Sequence, residues 1–128
     1  MAEETPTILM VDDDEAYCTI MRELLVRHGF QVRVAGTAEE ALRLMRLERP
    51  DIILTDIMMP EVDGLTLIRR IRSNPIGADI PTVVVSALVL ARERNAATQA
   101  GADAFLAKPF SFSELRTTIR HVLTPVGG

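Results

Sequence analysis

The sequence predicts an α/β domain, a parallel sheet covered by helices on both faces. Three observations carry this. Five short apolar or β-branched runs alternate with five segments of helical periodicity, the pattern of repeated strand–helix–strand crossovers. Two of the runs, Thr7–Val11 and Ile52–Leu54, are continuous rather than alternating, as befits strands buried on both sides. Carboxylates then stand at the ends of those same runs, at the sheet edge where open α/β domains bind ligands.

In chain order, Thr7–Val11 is the first strand and stops at Asp12-Asp13-Asp14. Tyr17, Ile20, Met21, Leu24, Leu25 and His28 recur at helical spacing, and Gly29 ends that helix. A second strand, Gln31–Ala35, alternates around Val32 and Val34. Thr37-Ala38-Glu39-Glu40 is a capping box, opening a helix with Ala41, Leu42, Leu44 and Met45 inward and Leu47 at the margin. The central strand Ile52–Thr55 lies between Pro50 and Pro60, with Asp56 at its end. Leu65, Leu67, Ile68 and Ile71 mark a third helix, closed by Ser73-Asn74-Pro75. Thr82–Ser86 is a β-branched fourth strand.

Arg92–Ala100 is a fourth helix, poor in large side chains, and Gly101 ends it. Ala104–Ala107 is a fifth strand, halted by Lys108-Pro109. A second capping box, Ser111-Phe112-Ser113-Glu114, leads the last helix, with Phe112, Leu115, Ile119, Val122 and Leu123 inward. Leu88-Val89-Leu90 reads as the packed start of the fourth helix, with a partner contact as the alternative.

With 128 residues the chain reads as one domain, 1–128, with 1–6 and 124–128 as flexible ends. A net charge of −4 and a pI near 5.2 give no basic footprint for nucleic acid. No apolar run approaches the ~20 residues that span a bilayer. The acidic start lacks the features of a secretory signal, so a cytoplasmic location is expected. Cys18 is the only cysteine, which excludes an intrachain disulfide; it reads as a small buried group on the first helix.

Right-handed crossovers place every strand's carboxyl end on one edge. Asp12 and Asp13, Asp56, Ser86 and Lys108 would then meet in a single crevice. Crowded carboxylates need a proton or a cation, and Mg²⁺ takes few carboxylates together with waters and phosphate oxygens. Lys108 and Ser86 suit an incoming oxyanion, and an aspartate that accepts a phosphoryl group is an established nucleophile. Taken singly the residues are less telling: Asp14 reads as a helix cap, Asp56 and Asp63 as ordinary loop acids, Lys108 as a solvated turn residue, and Ser86 says almost nothing. The joint pattern at matching strand ends carries the reading.

The segments Ile8–Glu15, Pro50–Pro60 with Asp63-Gly64, Ser86-Ala87, and Gly101-Ala102-Asp103 through Lys108-Pro109-Phe110 closely resemble the receiver domain of two-component response regulators, over about Thr7 to Leu123. The resemblance implies a flavodoxin-like fold with strand order 2-1-3-4-5. It implies phosphorylation of Asp56 by a histidine kinase or histidine phosphotransfer protein. Mg²⁺ would be held directly by Asp13, Asp56 and the Met58 backbone carbonyl, and by Asp12 through water. Ser86 and Lys108 would contact the phosphoryl group, and Ser86 and Phe105 would form the switch. The Lys108-Pro109 bond would be cis. Met58 and Leu88 would flank the phosphosite, and their apolar bulk predicts slow self-hydrolysis.

The fourth helix, fifth strand and last helix would form the face for a downstream protein or effector domain, or for a homodimer. Ser at position 86 and Phe at position 105 replace the commoner Thr and Tyr, and neither change removes a required group. Two other readings are a phosphorylation-independent interaction module of the same fold and an enzyme turning over a diffusible phosphorylated substrate. The acidic site argues against the first; the absence of a substrate-binding insertion argues against the second.

Overall fold

The continuous apolar runs become strands buried from both sides. The computed structural model describes residues 5–57, 63–87 and 90–123. Its elements are β1 (Thr7–Val11), α1 (Glu15–Arg27), β2 (Gln31–Ala35), α2 (Ala38–Leu47), β3 (Ile52–Thr55), α3 (Gly64–Ser73), β4 (Thr82–Ser86), α4 (Ala91–Ala100), β5 (Ala104–Ala107) and α5 (Phe112–Leu123). The five strands form one parallel sheet of order β2-β1-β3-β4-β5. The expected flavodoxin-like fold and strand order are both present.

Because successive strand residues face opposite sides, each run splits between two cores. Ile8, Met10, Ile52, Leu54, Val83 and Val85 join Met21 and Leu25 of α1 and Leu115 and Ile119 of α5. On the other face Leu9, Val11 and Ile53 meet Met45 of α2 and Leu67 and Ile71 of α3. Val84 packs with Ile68 of α3 and Ala97 and Ala100 of α4 in a smaller cluster, with Phe105 against it. Only two residues of α4 are buried, both alanines, so α4 is the helix most lightly anchored by side chains.

The second capping box forms in full: Glu114 N donates to Ser111 Oγ at 3.1 Å, and Ser111 N to Glu114 Oε1 at 3.0 Å. The first forms by half. Glu40 N donates to Thr37 Oγ1 at 3.1 Å, but the Glu40 carboxylate accepts from Gly36 N rather than from Thr37 N. Asp14 caps α1, as expected, accepting from Tyr17 N at 3.0 Å.

Ile20, counted in the helical repeat of α1, and Leu47, set at the margin of the α2 face, both turn to solvent. Ile20 is 65% exposed and Leu47 68% exposed. The buried stripe of α1 runs Cys18, Met21, Leu25 and that of α2 runs Ala38, Ala41, Met45, both in steps of three and four. Ile20 and Leu47 each fall beside the stripe. A further correction concerns α4, which starts at Ala91 with Leu90 as its N-cap. Leu90 is 53% exposed and offers no capping oxygen, so it is not a packed helix start; Leu88 and Val89 lie outside the described residues.

Candidate functional site

The ladder bonds of the sheet fix the backbone of the acids. One residue past β1, Asp12 N donates to the Ala35 carbonyl of β2 at 3.0 Å. One residue past β3, Asp56 N donates to the Val11 carbonyl of β1 at 3.1 Å. On the far side, Lys108 N donates to the Ser86 carbonyl at 2.9 Å, tying the ends of β4 and β5 together. The Lys108-Pro109 bond is cis, as the resemblance implied. Thr55 Oγ1 donates to the Asp56 carbonyl at 3.0 Å. Gly64 N donates to Ile57 O at 2.8 Å. This brings the start of α3 so close that a Cβ at Gly64 would collide with the Asp56 carbonyl oxygen.

The side chains then converge. Lys108 Nζ donates to Asp12 Oδ2 at 3.1 Å and to Asp56 Oδ2 at 3.0 Å. The other Asp12 oxygen accepts from Asp14 N at 3.0 Å. Asp12 is 5% exposed, Asp56 14% and Lys108 22% by side chain, so these charges meet largely out of water. Asp13 is exposed at the same strand end, and Ser86 is buried. The sequence reading assigned the ammonium to an incoming oxyanion; here it bridges the two carboxylates and offsets their repulsion. Burial pulls the Lys108 pKa down, but the hydrogen bonds and charges of Asp56 and Asp12 outweigh it and leave it above 10.5.

Tyr17, one turn into α1, is half-buried, and Lys108 Nζ lies 4.1 Å from its ring centroid. Burial, with the nearby acids, raises the Tyr17 pKa against the opposing pull of Lys108, so the phenol stays neutral. Cys18 is buried with Sγ 3.4 Å from the Asp12 carbonyl. Burial, then the charges of Asp12 and Asp14, push its thiol up to about 11, which makes it unreactive. A cleft of about 360 Å³ opens beside this group, lined by Tyr17, Met21, Ala87, Lys108, Pro109 and Phe110.

Among the described residues no group of three or more acid, His or Cys side chains is spaced to cage a metal. Two convergent carboxylates with an exposed third beside them are nonetheless a hard-oxygen donor set, and Mg²⁺ needs only one or two carboxylates with waters. The donor chemistry fits that ion. Met58 and Leu88 lie outside the described residues. Phe105 is half-buried against the cluster of Ile57, Ile68 and Val84, with the Arg94 guanidinium 5.3 Å from its ring centroid.

Three groups escaped the sequence reading. Periodicity places Tyr17 only on a helical face, although its position four residues after Asp13 puts it one turn from the acids. Arg94 lies over Phe105 with nothing in the sequence to pair them. Arg72 spends every N–H of its guanidinium at the opposite edge of the sheet, on the carbonyls of Gly77, Ile80 and Gly101 and on Asp103 Oδ2. Asp103 Oδ2 also accepts from Thr82 N at 2.8 Å.

A doubly wound parallel sheet thus gathers acids after its first and third strands and a lysine after its fifth at one carboxyl edge. Comparison with known proteins then places the chain. The family model of the response regulator receiver domain matches residues 8–120, and the chain belongs to that family. The response regulator MprA of Mycobacterium leprae is 42% identical over 116 residues, 91% of this chain and 50% of MprA. The chain thus spans about half the length of the curated relatives it matches.

Among solved structures, Vibrio cholerae chemotaxis protein CheY4 superposes with a TM-score of 0.90 at 25% identity, covering 94% of this chain and 100% of that one. The receiver domain of the sensor histidine kinase PA1611 from Pseudomonas aeruginosa, solved with a magnesium ion coordinated in its active-site cleft, has a TM-score of 0.86 at 30% identity, covering 94% of this chain and 98% of that one. The described residues contain no helix long and apolar enough to cross a membrane.

Proposed function

We propose that this receiver domain accepts a phosphoryl group on Asp56 from a phosphohistidine of a histidine kinase or phosphotransfer protein and thereby changes its preference for a downstream partner. The observation that carries the reading is the bridge from Lys108 Nζ to Asp12 and Asp56, made by side chains from three different strand ends. Asp56 is held by its backbone at the sheet edge and 14% exposed, so an in-line donor can reach it while bulk water is largely kept away.

In the transfer, an Asp56 carboxylate oxygen attacks phosphorus, the P–N bond to the donor imidazole breaks, and the imidazole keeps the electron pair. Lys108 then exchanges a carboxylate contact for a phosphoryl oxygen, carrying its charge to where negative charge has arrived. Ser86, at the neighbouring strand end, supplies a hydroxyl to the same group. Asp12, Asp13 and Asp56, with the Met58 carbonyl, would hold Mg²⁺, which offsets charge on the carboxylate and phosphoryl oxygens when bound.

Ser86 and Phe105 would relay the event to α4, β5 and α5, the face for an effector or a second copy. The light anchoring of α4 and the position of Phe105 between Arg94 and the small cluster support that assignment. Met58 and Leu88 are assigned to flank the acyl phosphate and slow its hydrolysis. The domain does not turn over a diffusible substrate in this account; it is consumed and reset with each phosphoryl group.

The test is incubation with Mg²⁺ and a small phosphodonor, followed by intact mass. One added phosphoryl group is expected in the wild type and none in Asp56→Asn. A gain that persists in Asp56→Asn would assign the acceptor elsewhere. Polar substitution at Met58 or Leu88 is expected to shorten the lifetime of the phosphorylated form.

A further inference from the structure

Lys108 is the only lysine of the chain and Tyr17 the only tyrosine; every other basic residue except the two histidines is an arginine. The two unique side chains face each other, Nζ 4.1 Å from the ring centroid. An ammonium has three donors. Two are used on Asp12 and Asp56, which leaves one for the negative face of the ring that Nζ overlies. A lysine stem carries four carbons and many rotamers, and a largely buried ammonium without a third partner would turn toward water.

We infer that Tyr17 is the positioning residue of the site: its ring face holds the Lys108 ammonium over Asp56, ready for an arriving phosphoryl oxygen. The inference rests on the phosphoacceptor reading for its consequence, though not for the contact itself. The ring comes from α1, whose start is fixed by Asp14 accepting from Tyr17 N itself. Its orientation is therefore set by the same Asp12-Asp13-Asp14 segment that supplies the acids. The hydroxyl is not needed for this role, but the aromatic face is.

The unique lysine makes the test direct. Protein labelled with ¹³C at lysine Cε gives a single side-chain signal, free of overlap. In the metal-free, unphosphorylated wild type, the Lys108 Hε resonance is expected upfield of its position in the urea-unfolded chain, through the ring current of Tyr17. It should stay there in Tyr17→Phe and move to the unfolded position in Tyr17→Met. With Mg²⁺ and a small phosphodonor, Tyr17→Phe is expected within twofold of the wild-type rate. Tyr17→Met should be slower by roughly two- to fivefold, the size of a cation–π contact at a partly exposed site.

A wild-type Lys108 signal at the unfolded position would overturn the inference without recourse to any variant. So would a Tyr17→Met protein, folded by circular dichroism, that is phosphorylated as fast as Tyr17→Phe. Failure of the wild type to gain phosphate would overturn the phosphoacceptor reading alone. The resonance measurement, made without metal or donor, decides the Tyr17 contact separately.

Discussion

Lys108 Nζ donates to Asp56 Oδ2 across 3.0 Å, joining the ends of β5 and β3 over the intervening β4. The same nitrogen reaches Asp12 after β1, so one cation spans four of the five strands at the carboxyl edge. In the resting site the ammonium therefore occupies oxygens that a divalent ion would also use.

Lys108→Met should expose that competition. Without the ammonium, two largely buried carboxylates face each other, and a loss of about 1–3 kcal/mol is expected at neutral pH, below the range for fully buried pairs. Mg²⁺ should then stabilise the variant more than the wild type. Urea denaturation of both proteins with and without Mg²⁺ measures this; an equal Mg²⁺ increment would show that lysine and metal do not share oxygens.

Gly64 sets how closely α3 approaches the Asp56 backbone. A Cβ there would stand 2.8 Å from Ile57 Cα and 2.9 Å from Asp56 C, both rigid backbone. Gly64→Ala is expected to cost about 3 kcal/mol through forced backbone shifts. Gly36 has nothing within 4 Å of the corresponding position, so Gly36→Ala should be neutral or slightly stabilising. Thermal unfolding of the pair gives the contrast.

Arg72 locks the edge of the sheet opposite the site. Arg72→Ala leaves the carbonyls of Gly77, Ile80 and Gly101 without its donors, and a loss of about 2–4 kcal/mol is expected. Lysine should not rescue it, having no planar fork to serve several acceptors. Hydrogen exchange should show the largest loss of protection around Gly101 and Ala102, where α4 ends.

Alkali should weaken the fold in a defined window. The Cys18 thiol is raised from 9.0 when free to about 11 in the fold, so between those values the folded state holds the proton that the unfolded state has released. Stability is full below pH 9, falls by about 3 kcal/mol across the window, and levels off above about 11. Lys108 and Tyr17, also raised, add losses of the same sign as pH passes their ordinary values near 10. Cys18→Ala should therefore show a shallower decline between pH 9 and 11 in urea titrations.

The sheet was legible because burial on both faces writes itself as unbroken apolar runs, as in Ile8–Val11 and Ile52–Leu54. The strand-end acids were legible because crossover handedness puts all such ends on one edge. Ile20 was misread, and marginal Leu47 left undecided, because apolar character at near-helical spacing does not reveal which stripe the fold buries. The shared crevice of Lys108 with Asp12 and Asp56 was legible by the same crossover rule, but not the direct bridge between them, and the partners of Arg72 were not legible at all. Lys108 lies 96 residues from Asp12, and Arg72 lies 29 from Gly101 and 31 from Asp103. No local period encodes distances between side chains so far apart in the chain.

Borohydride reduction of the phosphodonor-treated protein, followed by peptide mapping, tests the central claim most directly, because it converts an aspartyl phosphate to homoserine at the modified position. The account predicts homoserine at position 56 and at no other acid, dependent on both donor and Mg²⁺. Homoserine at Asp12 or Asp13, or an unmodified Asp56 in a protein that has gained phosphate, would contradict it.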